Sequence, residues 1–94
     1  MEEKIKQLIE RDALASKSQK QKHVHQRHYL FYLLRERVGM TLESIGELFN
    51  RDHATVLHGV KMHKTREEMK DPYMNRDIAQ YKELLEDDNL LQIN

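Results

Sequence analysis

Cysteine is absent from this chain, which excludes disulfide staples and thiolate metal sites. Glycine is scarce: the three present form no Gly-x-x-x-x-Gly-Lys phosphate loop, so the chain lacks the usual cradle for a nucleotide. No apolar run is long enough to cross a bilayer or act as a signal peptide, which makes a cytoplasmic protein without a membrane partner the expectation. No nucleophile–base pair or carboxylate pair stands out, so neither an enzyme nor a bound cofactor is expected. With 94 residues the chain can form one small domain with a single modest core, leaving no room for a nucleotide-driven motor domain.

Net charge is also lacking, at a formal value of zero, and this predicts modest non-specific affinity for a polyanion. The distribution is uneven, however. Residues 13–40 carry Lys17, Lys20, Lys22, Arg27, Arg35 and Arg37 against Glu36 alone, whereas residues 65–94 carry four basic and eight acidic side chains. A basic half can face phosphates while an acidic C-terminal helix faces away.

Strand-like alternation is missing and the only proline is Pro72, so apolar spacing predicts an all-α chain. A first helix over 1–15 would bury Ile5, Leu8, Ile9 and Ala13. A polar, basic loop follows at 16–22. A helix over 24–38 would turn Leu30, Leu33, Leu34 and Val38 inward and end at Gly39, a C-cap. Thr41 should cap a short helix over 42–49, and Asp52 a longer one from His53 to about Lys70, whose packed side carries Val56, Leu57 and Val60. A last helix within 73–86 would use Ile78, Tyr81, Leu84 and Leu85, leaving 87–94 as a fraying tail.

The stretch from Ile45 to Val60 has the spacing of a helix-turn-helix. Ile45 and Phe49 are apolar anchors, Gly46 lets two helices cross closely, Asn50 tolerates a left-handed turn, and Val56 and Val60 point to the core. The other face of the second helix is then free for DNA. Its first turn comes nearest the base edges, which makes His53, Ala54 and Thr55 the candidates for base readout. Asp52 either caps the helix amides or accepts from cytosine N4. Arg27 and Arg35 on the helix over 24–38, and His58 and Lys61 on this one, can hold phosphates, although a charged helix face is more often simply solvated.

The segment Arg51-Asp52-His53-Ala54-Thr55-Val56-Leu57-His58, preceded by Leu42-Glu43-Ser44-Ile45-Gly46-Glu47-Leu48-Phe49, resembles the C-terminal DNA-binding domain of the bacterial replication initiator DnaA. Seven of the eight signature positions agree with that family's pattern, Ala54 replacing a threonine. The resemblance implies a DnaA C-terminal or Trp-repressor-like helical fold. It also implies double-stranded DNA as partner, base contacts at Asp52 and His53, and a link to replication initiation or its regulation near the nucleoid. Leu42 and Arg51 fall within the matched stretch and join the expected DNA surface. Two features depart from the family: Ala54 retains a methyl but no hydroxyl, and Asn50 alone stands where the family often has Gly-Gly.

In that family an arginine-rich loop enters the adjacent minor groove. Here the loop has Lys17, Lys20 and Lys22 with Gln19 and Gln21, so hydrated point charges replace guanidinium forks and phosphate contact should dominate. The six histidines argue against a metal, because His53, His58 and His63 are five apart and rotate around the helix. Tyr29, Phe31 and Tyr32 fit core or interface packing better than base stacking.

A second reading is a protein-interaction adaptor that keeps the fold with weak or non-specific DNA binding, its partner (a replication protein or another copy) held by the acidic residues 65–88. Zero net charge, Ala54 and the lysine loop favour it. Such a domain could be a replication-linked regulator, a phage or mobile-element factor or a fragment of a larger initiator; the starting methionine and full first helix favour a free-standing chain.

Overall fold

The computed structural model describes the backbone of residues 1–93 and the side chains through Glu86. The expectation of a fraying tail therefore falls on residues whose side chains lie outside the description. Helices α1 (Glu2–Arg11), α2 (Gln21–Tyr32), α3 (Leu42–Phe49), α4 (His53–Glu68) and α5 (Pro72–Ile93) account for the architecture, and α2 runs on as π-helix over Leu33–Val38. The described residues contain no strand, and none of their helices is long and apolar enough to cross a membrane.

Helix α1 opens with Glu2 and Glu3, which complement the positive end of the helix dipole, and buries Ile5, Leu8 and Ile9 at helical spacing. It stops sooner than the apolar pattern predicts. Ala13 adopts a left-handed φ of 52° and the Leu14 amide bonds back to the Ile9 carbonyl at 2.9 Å, closing the helix end. This turn exposes Ala13, which the apolar pattern places inside, and drives Leu14 fully into the core.

Helix α2 is central and packs against both α4 and α5. Tyr29, Leu30 and Phe31 are buried, and the Phe31 ring meets Phe49 edge-on at 4.7 Å. Polar side chains share this buried face: His25 Nδ1 lies 2.8 Å from Asp77 Oδ2, and Gln26 donates to the Asp77 carbonyl at 3.3 Å, tying α2 to α5. The π-helical end brings Leu33 and Leu34 inward, where the Leu34 carbonyl accepts from both Gly39 and Met40. Gly39, at φ 85°, ends the helix in the left-handed conformation expected of it.

Helix α4 ends at Glu68, ahead of Lys70 at φ 53°, and α5 begins at Pro72, earlier than expected. Asp71 caps α5 by accepting from the Tyr73 and Met74 amides, and proline suits the first helical position because its missing donor is not needed there. Met74, Ile78, Tyr81 and Leu85 form the buried stripe of α5. Leu84, expected inside, is 42% exposed. Tyr81 passes through the core and donates its hydroxyl to Asp12, which also pairs with Arg11.

Candidate nucleic-acid interface

Helices α3 and α4 and the turn between them form the helix-turn-helix. Thr41 Oγ1 accepts from the Ser44 amide at 3.1 Å and so starts α3. Asn50 ends it at φ 55°, and the Arg51 amide returns to the Gly46 carbonyl at 2.9 Å. A Cβ at Gly46 would lie 2.3 Å from the Arg51 carbonyl oxygen, so the small residue accommodates the turn's own backbone rather than a crossing helix. The close crossing is at Gly59, where α4 meets α2 and a Cβ would lie 2.5 Å from the Phe31 ring.

Asp52 Oδ1 accepts from the Thr55 amide at 2.8 Å and caps α4. That bond holds its carboxyl below the usual carboxylate range. Val56, Gly59, Val60 and His63 form the buried face of α4. His53, Ala54, Thr55, His58 and Lys61 are all exposed. Leu57 departs from expectation: it is 40% exposed and lies on the outward side with His53 and Ala54, because the core face is narrower than the apolar spacing suggests.

Three of the expected DNA contacts have other work in the fold. Arg27 is only 4% exposed and donates through Nη2 to the Ser18 carbonyl at 2.5 Å, so it holds the basic loop rather than lying open to phosphate. Its Nη1 is buried without a hydrogen-bond partner, and burial followed by the nearby Arg51 charge lowers its pKa. Arg51 Nη1 donates to the carbonyls of Phe49, Asn50 and Ala15 at 2.7, 3.3 and 3.4 Å, and Nη2 to that of Ser16 at 2.5 Å. Leu42 is half-buried and packs against the core.

Lys17, Lys20 and Lys22 are exposed, as the loop reading requires. Lys20 is the N-cap of α2 and Lys22 sits on its first turn, near enough to help lower the Asp12 pKa. Arg35 is exposed but donates to the Met40 carbonyl at 3.0 Å, bracing the approach to α3. A shallow depression of about 590 Å³ beside the start of α4 is lined by Glu43, Gly46, Glu47, Asn50, Arg51, Asp52 and His53. Its carboxylates make this flank acidic while the loop flank is basic.

The histidines divide by environment. His28 is half-buried and accepts from Arg66 Nη1 at 2.8 Å. Burial, then the Arg66 charge and His58, push its pKa down to about 3, so the ring is neutral. The exposed His58 stands edge-on to it at 6.3 Å. His63 lies between Tyr29 and Tyr32 and bonds Glu67 at 3.1 Å, and burial lowers its pKa. Among the described residues no group of three or more His, Cys, Asp or Glu could hold a metal ion. Sequence reasoning missed the buried histidines and Gly59. The one available signal was that Gly59 and His63 fall at helical spacing with Val56 and Val60.

The pattern of the bacterial dnaA protein helix-turn-helix matches residues 6–62. The chain is 38% identical over 52 residues to the chromosomal replication initiator protein DnaA of Oleidesulfovibrio alaskensis; the alignment covers 55% of this chain and 11% of that protein. No solved structure matches the chain.

Proposed function

This chain belongs to the bacterial dnaA helix-turn-helix family, and from that premise we propose that it binds duplex DNA with a sequence preference and acts in replication initiation or its regulation. The observation that carries the reading is the first turn of α4, which Asp52 caps and where His53, Ala54 and Thr55 are exposed, while Arg51 in the turn just before it holds the start of the lysine loop. A helix presented in this way enters a major groove by its N-terminal end, and lysines at its side neutralise flanking phosphates.

In this reading His53 and Thr55 meet base edges, Ala54 and the exposed Leu57 offer apolar contact to thymine methyls, and Lys17, Lys20, Lys22, His58 and Lys61 meet phosphates. Asp52 serves through its cap, Arg35 braces the approach to α3, and Arg27 and Arg51 act through the loop they hold. The acidic flank of Glu43 and Glu47 repels phosphate, so the duplex is engaged from the loop side and non-specific affinity stays low.

Fluorescence anisotropy with a labelled duplex carrying a DnaA-type box and a scrambled duplex, at two salt concentrations, tests this. A preference of roughly tenfold, about 1.4 kcal/mol, that survives higher salt is expected. Equal binding that salt erases would reduce the chain to a non-specific binder, and no binding at low salt would overturn the reading.

A further inference from the structure

The Arg51 guanidinium spans two segments that are far apart in sequence. On one side it holds the carbonyls of Phe49 and Asn50, which form the turn into α4; on the other it holds those of Ala15 and Ser16, which lead into the lysine loop. Arg27 holds the loop carbonyl two residues further on, at Ser18. The carbonyls on either side of Lys17 are therefore both fixed by arginine, while the lysine itself is exposed. Among the described residues no carboxylate lies within ion-pair distance of either guanidinium. The hydrogen bonds of both guanidinium groups go to backbone carbonyls, so no ion pair competes with their hold on the loop.

On this geometry, and resting on the DNA-binding reading above, we propose that Arg51 is a positioning residue that joins the lysine loop and the first turn of α4 into one rigid DNA-recognition unit. The residue after Arg51 caps α4 and the one after that is His53; the residue after Ser16 is Lys17. A short, hydrogen-bonded path thus sets where the loop cation stands relative to the base-reading turn. Without it, each contact must be ordered separately when DNA binds, and that ordering costs affinity. A planar fork of donors is suited to the task. A lysine, with one compact ammonium, cannot reach carbonyls on both segments in the same way.

The test compares the full chain with Arg51→Met, Arg51→Lys, Lys17→Ala and the two double variants, using hydrogen exchange without DNA and anisotropy with the box duplex. Arg51→Lys keeps a cation in the turn and serves if Arg51→Met does not fold. Both substitutions at Arg51 should speed amide exchange across residues 17–20 and leave the buried face of α4 protected. Lys17→Ala should weaken box binding roughly threefold in the wild-type background and have almost no effect in either Arg51 background, since contacts that act as a unit are non-additive. Unchanged exchange in the loop, or a Lys17 loss of the same size in all backgrounds, overturns the proposal. So does Arg51→Lys binding like wild type, the result expected if Arg51 met a phosphate by charge alone. A wild-type chain with no preference for the box would overturn the DNA reading and the coupling with it, with loop exchange still judging the clamp by itself.

Discussion

Replacing Gly46 by alanine should destabilise the protein although it improves the helix. Gly46 lies inside α3, where glycine to alanine by itself favours helix by about 1 kcal/mol. Against this, the new Cβ would sit 2.3 Å from the Arg51 carbonyl oxygen and 3.3 Å from its carbon. The obstacle is backbone, not the end of a flexible chain, and it is tied down. The Arg51 amide bonds the Gly46 carbonyl across the same gap, and the Arg51 side chain bonds both the turn and the loop. Relief therefore means opening the turn, with an overpacking cost of about 1–3 kcal/mol plus roughly 1 kcal/mol for the stretched hydrogen bond. The net loss is about 1–3 kcal/mol, which at about 4–8 °C per kcal/mol for a domain of this size lowers Tm by roughly 5–20 °C. Thermal unfolding followed by circular dichroism reads it directly. A Tm equal to or above that of the wild type would show that the turn gives way easily, and would refute the argument that Gly46 is required by close backbone approach.

Acid should destabilise the fold through several groups in the same direction. His28 is held at about 3 against an ordinary 6.5, so below 6.5 the unfolded chain binds a proton that the folded chain refuses, and stability falls by at most about 1.4 kcal/mol per pH unit from this group. His63 is lowered by burial as well, and the depressed carboxyls of Asp12 and Asp52 extend the loss as pH falls through and below the usual carboxylate range. A denaturation midpoint that rises between pH 6.5 and 4 would contradict this, as would an NMR titration of the His28 ring above pH 5. Asp52→Asn retains the capping oxygen, so Tm and box preference should both hold; a changed preference with unchanged Tm would assign the carboxylate to base contact instead. Leu14→Ala should cost about 2–5 kcal/mol and Leu84→Ala less than about 1 kcal/mol, because the first is fully buried and the second 42% exposed. Equal losses in urea unfolding would count against the inward turn at Ala13.

Most of the helix-turn-helix was legible in the residues themselves, because its signals act over three to five positions. Thr41 and Asp52 reach the amides of Ser44 and Thr55, Asn50 takes the left-handed turn, and the exposed set from His53 to Lys61 follows from helical periodicity once Val56 and Val60 are inside. The early stop of α1 was not legible, because alanine at a left-handed φ gives no local warning and only the burial of Leu14 explains it. Leu57 and Leu84 misled for a related reason: apolar type alone does not say how wide a face the neighbouring helices cover.

The sequence by itself thus determined the all-helical character, the caps at Gly39, Thr41 and Asp52, the turn into α4 and, Leu57 apart, the face of α4 that looks outward, since each depends on steric and hydrogen-bonding preferences within one or two turns. Tertiary structure alone decided what the charged and polar side chains outside those caps do. His25 became a buried partner of Asp77, 52 positions away, and Arg51 a clamp on Ser16, 35 positions away. A guanidinium or an imidazole can meet solvent, phosphate or carbonyl with similar chemistry, and which of these it finds depends on how distant segments pack around it.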